Sequence, residues 1–130
     1  MSDITKLEAW REAHKFVIAI YKLSRKFPSE ERFRLVDQLC RSASSIPANL
    51  VEGNGRSYRK EYLQYVYQDR GSLDESKYHL LLAKDLGYIT EKDYSDLISN
   101  ADQIGRMING LIKYLRSQLA TRNHEPGTRN

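Results

Sequence analysis

The sequence predicts an all-α protein, an antiparallel up-down-up-down bundle of four helices. The chain has 130 residues, a length that fits one domain with its own core. Apolar residues recur at the three- and four-residue spacing of amphipathic helices nearly throughout, and no stretch shows the alternation of a β-strand. Short segments rich in proline, glycine and serine separate four such runs, and short links favour antiparallel neighbours.

Helix one is predicted over about residues 5–26, because Pro28 ends it and one broad face is apolar. That face carries Ala9, Trp10, Ala13, Phe16, Val17, Ile20, Leu23 and Phe27. The apolar arc is wider than one small bundle covers, which indicates a subunit interface. The chain also has nine tyrosines. Tyrosine side chains at the rim of the core would explain the additional apolar surface equally well.

Helix two is predicted over about residues 30–53, with Ser29 as its N-cap and with Gly53 and Gly55 at its end. Pro47 lies inside the apolar pattern of this helix. A proline there removes one backbone hydrogen bond and costs about 3 kcal/mol if nothing compensates. We therefore expect a kink at Pro47 that the packing uses.

Helix three is predicted over about residues 58–86, capped by Ser57 and ended by Gly87. Gly71 in its middle costs about 1 kcal/mol relative to alanine, so we expect another helix to approach closely there. Helix four is predicted over about residues 91–119, since Thr90 and Asp93 have the spacing of a capping box. Its apolar rows suit a bundle core. The bundle thus spans residues 1–120, and the polar tail 121–130 is expected to be disordered.

The composition excludes several classes of protein. Cys40 is the single cysteine, so no disulfide framework exists within one chain, and we expect a small buried side chain. No apolar run reaches the length of a membrane span and the first residues lack the apolar segment of a signal peptide, so a cytoplasmic location is expected. The net charge of +4 and the pI of about 9.2 permit contact with nucleic acid without establishing it.

No pattern indicates an enzyme, a cofactor or a metal site. Glu75 and His79 lie one helical turn apart, but a metal site in a bundle needs further converging ligands, so a hydrogen-bonded pair is expected. Four polar side chains are expected near the bundle interior, where they form a network that fixes the register. They are Asn49, Glu52, Ser72 and Glu75. A hydrolase that uses Glu52 and Glu75 for acid–base chemistry is an alternative.

A set of basic residues at and along helix three supplies the candidate nucleic-acid contacts. The set comprises Arg56, Arg59, Lys60, Arg70, Lys77 and Lys84, four of which are spaced at multiples of seven residues. Glu61 and Asp74 interrupt the charge, so an ordinary solvated face is the preferred interpretation for one isolated chain. Repetition of the set in an oligomer favours binding of phosphates, because several weak contacts then act together.

Several ordered motifs carry a resemblance to a known family. Residues 45–56 read Ser-Ile-Pro-Ala-Asn-Leu-Val-Glu-Gly-Asn-Gly-Arg, and Glu61, the 71–75 segment Gly-Ser-Leu-Asp-Glu and the 86–89 segment Leu-Gly-Tyr-Ile follow. With Leu7, Ala9, Trp10 and the 13–21 segment, the chain resembles the four-helix-bundle family associated with 23S ribosomal RNA intervening sequences over roughly residues 6 to 117. Gln68, Asp69 and Arg70 depart from the small or apolar residues usual before Gly71 in the family.

The resemblance implies an antiparallel four-helix bundle that assembles as a homopentamer, without enzymatic activity or cofactor. A related branch is similar to the accessory protein of diversity-generating retroelements, which partners a reverse transcriptase and binds nucleic acid through a basic surface. The leading hypothesis is therefore a non-enzymatic oligomer that binds RNA or DNA backbones. The alternative is a protein-interaction scaffold or accessory subunit for a reverse transcriptase or another nucleic-acid enzyme.

Overall fold

The computed structural model describes residues 3–124, with side chains through residue 121. Within this range the elements are α1 (Asp3–Ser24), a 3-10 turn (Ser29–Glu31), α2 (Leu35–Asn54), α3 (Arg59–Asp85) and α4 (Glu91–His124). Helices α1 and α3 each pack against both α2 and α4, so α1 and α3 occupy opposite corners. The predicted all-α four-helix bundle is confirmed. We call the end with the start of α1 and the end of α4 the lower end.

One continuous core fills the bundle, and its residues are those of the predicted apolar faces. The largest fully buried apolar side chains are Phe16, Ile20, Leu39, Ile46, Leu80, Ile104, Ile108, Leu111 and Leu115. At roughly 1.5–3 kcal/mol for each large apolar side chain removed from water, this core is the main source of stability. None of the helices in the described range is long and apolar enough to cross a membrane.

The start of helix two differs from the prediction. Ser29 begins a 3-10 turn, and the α-helix starts only at Leu35. Arg34 interrupts the helical backbone with φ −121° and ψ −104°. Tertiary packing explains the late start of the α-helix. Phe27 before the connection and Leu35 after it are both buried in the core, so the chain between them must join two fixed points. Pro47 lies within α2 and is buried, and the helix continues through it; the kink stays a prediction.

The glycine that permits a close approach is Gly53, and the prediction for Gly71 was wrong. A Cβ atom at Gly53 would lie 2.8 Å from Tyr62 Cδ1 and 3.0 Å from Tyr65 Cβ, so the backbone of α2 at Gly53 packs directly against these two side chains of α3. A Cβ atom at Gly71 would meet no atom within 4 Å. Gly71 lies on the outer face of α3, away from the neighbouring helices.

Short-range hydrogen bonds mark the end of α3 and the start of α4. Gly87 adopts φ +79° after α3, and the Tyr88 N–H donates to the Ala83 carbonyl, as in a Schellman motif. Ser57 does not cap α3, because its N-cap is Tyr58, without a side-chain cap bond. The capping box of α4 is confirmed, since the Asp93 N–H donates to Thr90 Oγ1 at 3.0 Å.

Helix α4 is longer than predicted, since it reaches His124 instead of ending near residue 119. No proline or glycine lies between residue 119 and Pro126, and a proline disfavours helical backbone at the residue before it. The predicted tail therefore begins inside the helix. Residues 125–130 lie outside the described residues, so their predicted disorder is not addressed by the structure.

Candidate nucleic-acid interface

The predicted basic residues divide into two groups along the seam between α3 and α4. In the upper half the α3 cations face acidic residues in the first half of α4. Lys77 Nζ lies 2.7 Å from Asp102 Oδ1, and Lys84 Nζ lies 3.8 Å from Glu91 Oε1. Lys84 also lies 4.6 Å from the centre of the Tyr94 ring. Each of these two cations therefore has a carboxylate neighbour on α4.

In the lower half the α3 cations have aromatic neighbours instead. The Arg59 guanidinium lies 6.0 Å from the centre of the Tyr114 ring, and Arg70 lies 5.9 Å from that of Tyr67. Lys60 is exposed. Among residues 3–121, none of these three cations has a carboxylate within 4.0 Å. Among the described side chains, the charge of these three cations is thus not offset by a contact with a carboxylate.

Arg56 differs from this group. Its guanidinium lies 3.4 Å from Glu52 Oε2, one turn earlier in the chain. It also contacts the ring and the hydroxyl group of Tyr65 on α3. Arg56 therefore connects the end of α2 to α3 through side-chain contacts, and its guanidinium lies next to a carboxylate.

The lower half of α4 supplies three further cations that the sequence reasoning missed. Arg106, Lys113 and Arg116 are exposed and lack an acidic partner within 4.0 Å in the part of the chain whose side chains are described. Because Lys77 pairs with Asp102 across antiparallel helices, the register places Arg70 level with residue 109, about one helical turn from Arg106 along α4. The available signal was the absence of Asp and Glu from residue 103 to residue 124. We call Arg59, Lys60, Arg70, Arg106, Lys113 and Arg116 the basic surface.

A row of hydroxyl groups, which we call the polar seam, joins α2 to α3. Ser45 Oγ donates to Ser72 Oγ at 2.6 Å, and Ser42 and Ser76 share a hydrogen bond of 2.9 Å. Ser76 Oγ also donates to the Ser72 carbonyl at 2.9 Å. Satisfied buried polar groups of this kind specify the register of two helices.

Asp69 extends the polar seam into the fully buried interior. Both of its carboxyl oxygens lack a hydrogen-bond partner of ordinary geometry. Removal from water raises the pKa of this carboxyl from 3.8 to about 8, and the nearby Asn49 side chain partly opposes this shift. At neutral pH the buried group is accordingly protonated, which avoids an isolated charge in the core.

The polar network therefore differs from the predicted set of Asn49, Glu52, Ser72 and Glu75. Ser72 belongs to the polar seam and Asn49 lies near Asp69, but Glu52 and Glu75 are exposed. Glu52 faces Arg56, as described above. Both glutamates lie on outer surfaces because the serines and Asp69 occupy the positions that face the partner helix.

The remaining titratable candidates have structural surroundings. Glu75 Oε1 lies 3.4 Å from Nε2 of the buried His79, which matches the expected hydrogen-bonded pair. Burial raises the pKa of the Cys40 thiol, which contacts Ser24 Oγ at 3.9 Å. In the described part of the chain no three His, Cys, Asp or Glu residues are grouped so as to hold a metal ion.

A largely apolar groove opens at the lower end between α1 and α2, and Tyr62 of α3 and Leu111 of α4 also contribute to its lining. Its volume is about 470 Å³. The lining consists of Leu7, Trp10, Leu50, Val51, Tyr62 and Leu111, with Asp3, Lys6 and Asn54 also present. Leu7 and Val51 remain 46% and 60% exposed. The protomer therefore leaves apolar surface uncovered at this end.

Comparisons with known proteins agree with this geometry. A solved structure of a protein of unknown function from the S23 ribosomal protein family of Bacteroides thetaiotaomicron VPI-5482 superposes with a TM-score of 0.78. The two sequences are 23% identical, and the match covers 84% of this chain and 98% of the other. No curated protein matches the sequence. The sequence profile of the 23S rRNA-intervening sequence proteins matches residues 5–110. The chain therefore belongs to the 23S rRNA-intervening sequence protein family.

Proposed function

We propose that this protein is a cytoplasmic, non-enzymatic, homo-oligomeric helical bundle that binds the backbone of RNA or DNA through its basic surface. The observation that carries the proposal is the division of the seam between α3 and α4. Lys77 and Lys84 of the upper half have carboxylate neighbours, whereas the six cations of the basic surface have none within 4.0 Å among the side chains that the structure describes. The proposed phosphate contacts therefore differ from the set predicted along helix three: they lie in the lower halves of both α3 and α4.

Electrostatics explains why the lower half is the better phosphate site. A cation that already pairs with a carboxylate must exchange one anion for another, and it gains little from a phosphate. An unpaired surface cation releases the counterions condensed on the nucleic acid and so contributes directly to affinity. Such contacts position the backbone and do not read its sequence. We therefore expect salt-dependent binding with weak sequence preference.

Self-association strengthens this proposal. Ile4, Leu7, Ile18 and Tyr21 of α1 are between 42% and 69% exposed, which is unusual for one helix of a small bundle. A homo-oligomer covers such surface and repeats the basic surface once per copy. Linked weak sites then bind a long polyanion more tightly than one site does. The family resemblance implies five copies.

The experiment is a salt-dependent titration of fluorescently labelled single-stranded RNA and double-stranded DNA. The test variant is Arg70→Gln/Arg106→Gln/Lys113→Gln, and the matched control is Lys77→Gln/Lys84→Gln. Each lost phosphate contact lowers the slope of log affinity against log salt by about 0.7–0.9. The test variant should lose about two to three in slope, and the control should lose less than one. Equal slopes for both variants would refute the assignment of the basic surface.

The groove at the lower end favours a second candidate function, a scaffold that docks another protein such as a reverse transcriptase. Its apolar lining can accept hydrophobic anchors from a partner, and such binding resists salt. Replacement of Val51 by Glu places a charge on this lining at an exposed position. Under the scaffold hypothesis, the wild-type protein retains a purified reverse transcriptase in a pull-down at high salt and this variant does not. The affinity of the variant for nucleic acid should be unchanged.

A further inference from the structure

The connection between α1 and α2, at the upper end of the bundle, is an ordered turn. The Phe27 N–H donates to the Ser24 carbonyl at 3.1 Å, and the Arg32 N–H donates to the Ser29 carbonyl at 3.1 Å. Phe27 before the turn and Leu35 after it are buried in the core. Hydrogen bonds within the turn and buried residues on both sides of it restrict the backbone, so the side chains of the turn are held in defined places.

A cavity of about 370 Å³ opens at this turn. Polar groups of Arg25, Arg32 and Ser29 line it together with apolar surface of Phe27, Pro28 and Val36. No carboxylate belongs to the lining. The volume falls in the range of about 300–1,000 Å³ that is usual for small-molecule sites, and such sites combine apolar walls with a few polar groups. We call this cavity the turn pocket.

The charge of the turn pocket is unbalanced. Both of its arginines are exposed, and neither has a carboxylate within 4.0 Å among the side chains that the structure describes. Two other cavities of the protomer differ in this respect, because a carboxylate lines each of them together with a cation. The lower groove contains Asp3 and Lys6, and a cavity between α2 and α3 contains Glu75 and Arg41. The turn pocket therefore has a positive charge that a bound anion would balance.

The acidic residues near the turn pocket do not cancel this charge. Glu31 Oε1 lies 3.8 Å from the Arg34 guanidinium, and Asp37 lies 3.8 Å from Arg41, so each of these carboxylates already has a cation. Glu30 is exposed and does not belong to the lining. Residues 22–34 contain five Lys and Arg residues and two Glu residues. The turn is thus positively charged as a whole, and the unpaired cations lie at its cavity.

The hydrogen-bond donors of the turn pocket suit a phosphate monoester. A guanidinium group is always charged and can donate two parallel hydrogen bonds to phosphate oxygens. The exposed Ser29 hydroxyl has no partner in the described part of the chain, whereas the Ser24 hydroxyl already donates to the Tyr21 carbonyl at 2.9 Å. A phosphate monoester carries a charge of about −1.5 to −2 at pH 7, which two arginines match. The apolar part of the lining is then available for the organic part of the ligand.

We propose that the turn pocket binds a phosphate monoester with a flat or apolar organic part, such as a nucleoside monophosphate. The phosphate lies between Arg25 and Arg32 and accepts a hydrogen bond from Ser29, and the organic part packs against Phe27 and Val36. Two sources present this chemistry, a free mononucleotide and the phosphorylated end of a nucleic-acid strand. The turn pocket is separate from the basic surface of α3 and α4, so this inference goes beyond the proposed function and does not rest on it.

The experiment is isothermal titration calorimetry of the full-length protein with AMP at fixed ionic strength. The test variants are Arg25→Gln and Arg32→Gln. The matched control is Lys26→Gln, which removes an exposed cation of the same turn that does not line the cavity. Wild type should bind one AMP per chain. Each test variant should bind AMP about tenfold more weakly or worse, because a charged hydrogen-bond donor is lost, and the control should change the affinity less than about threefold.

Three further measurements make the result specific. Adenosine, which lacks the phosphate, should bind at least about tenfold more weakly than AMP, and inorganic phosphate should compete with AMP. Circular dichroism should show the same helix content in wild type and all three variants, since the replaced side chains are exposed. A loss of AMP binding with unchanged helix content then reports on the turn pocket and not on folding.

A second titration distinguishes the two sources of the ligand. Fluorescence anisotropy compares one short single-stranded RNA, labelled at its 3′ end, with either a 5′-phosphate or a 5′-hydroxyl group. If a strand end is the ligand, wild type prefers the phosphorylated RNA, and Arg25→Gln and Arg32→Gln lose this preference. If a free mononucleotide is the ligand, the two RNAs bind equally while AMP binding keeps its dependence on both arginines. Either result supports the turn pocket.

Other outcomes overturn the inference. These are the absence of AMP binding at millimolar concentration, equal binding of adenosine and AMP, and equal losses in Lys26→Gln and the two arginine variants. The proposed function is tested separately, because the salt slope of its test variant depends on Arg70, Arg106 and Lys113 and leaves the turn pocket intact. Failure of one proposal is therefore distinguishable from failure of the other.

Discussion

The buried carboxyl of Asp69 leads to a prediction that tests the physical reasoning directly. Replacement by asparagine keeps the size of the side chain and removes its ability to ionise. In the unfolded chain the Asp69 carboxyl loses its proton near its ordinary pKa of 3.8, whereas in the folded chain burial raises the pKa to about 8. The folded state therefore binds more protons than the unfolded state between these two values.

The sign of the pH effect follows from this difference. A group whose pKa is higher in the folded state lowers the free energy of unfolding as pH rises. Each pH unit between 3.8 and about 8 lowers that free energy by up to about 1.4 kcal/mol. At pH 7 the accumulated loss is about 4 kcal/mol. Asp69→Asn escapes this loss, although its amide N–H groups must find partners at a cost of about 1–3 kcal/mol.

We therefore expect Asp69→Asn to raise the free energy of unfolding by about 2 kcal/mol at pH 7. The more decisive observable is the pH dependence. Urea denaturation followed by circular dichroism, at one fixed protein concentration from pH 4.5 to pH 9, should show the difference between variant and wild type growing up to about pH 8. Above that pH the difference should be constant.

Asp74→Asn is the control, because that carboxyl is exposed on the same helix. This replacement should not produce the pH-dependent rise in the free energy of unfolding that is expected for Asp69→Asn, because the Asp74 side chain is exposed to water in the folded state. Carbon NMR of the Asp69 carboxyl provides a second measurement, since its titration midpoint should lie near 8. Parallel stability curves for Asp69→Asn and wild type, or a carboxyl that titrates near 4, would show that the reasoning about burial is wrong.

The remaining predictions concern packing, capping and charge. Gly53→Ala should lower the free energy of unfolding by about 1–2 kcal/mol in urea denaturation, because the new Cβ atom would overlap side chains of α3. Gly71→Ala, measured on the dissociated protomer, should raise the free energy of unfolding by about 1 kcal/mol, because alanine favours the helix and its Cβ atom meets no other atom. Thr90→Ala should lower it by about 1 kcal/mol, whereas Thr90→Ser keeps the cap and should have little effect. Asp102→Asn should release Lys77 for phosphate contact and steepen the salt dependence of RNA binding by about 0.9, and an unchanged slope would contradict the role given to this ion pair.

Much of the fold could be predicted from periodicity and from local signals. In the last helix the apolar residues Ala101, Ile108 and Leu115, which are seven positions apart, are all buried. The capping box at Thr90 and the left-handed Gly87 mark helix ends because their hydrogen bonds involve only residues a few positions away. Patterns of this kind are complete within one or two helical turns, so the sequence contains all the information they need.

The basic surface that we propose overlaps only in part with the set of cations that the sequence predicts. Arg59, Lys60 and Arg70 were identified from their positions along α3, but Lys77 and Lys84 were grouped with them although acidic residues of α4 face both. The cations of α4 lie outside the predicted set, because the spacing of charges along α3 carries no information about the charges on the neighbouring helix. Whether a surface charge is available depends on residues that are distant in sequence and close in space.

By itself the sequence determined the helices, their apolar faces and the family, because helical periodicity, end signals and ordered motifs are written in consecutive residues. Only the tertiary structure decided the state of the polar groups. It placed Asp69 in the dry interior, joined serines of α2 and α3, and paired Lys77 with a carboxylate 25 positions away. Burial and ion pairing depend on the distance between helices in three dimensions, and that distance is set only when the whole bundle packs.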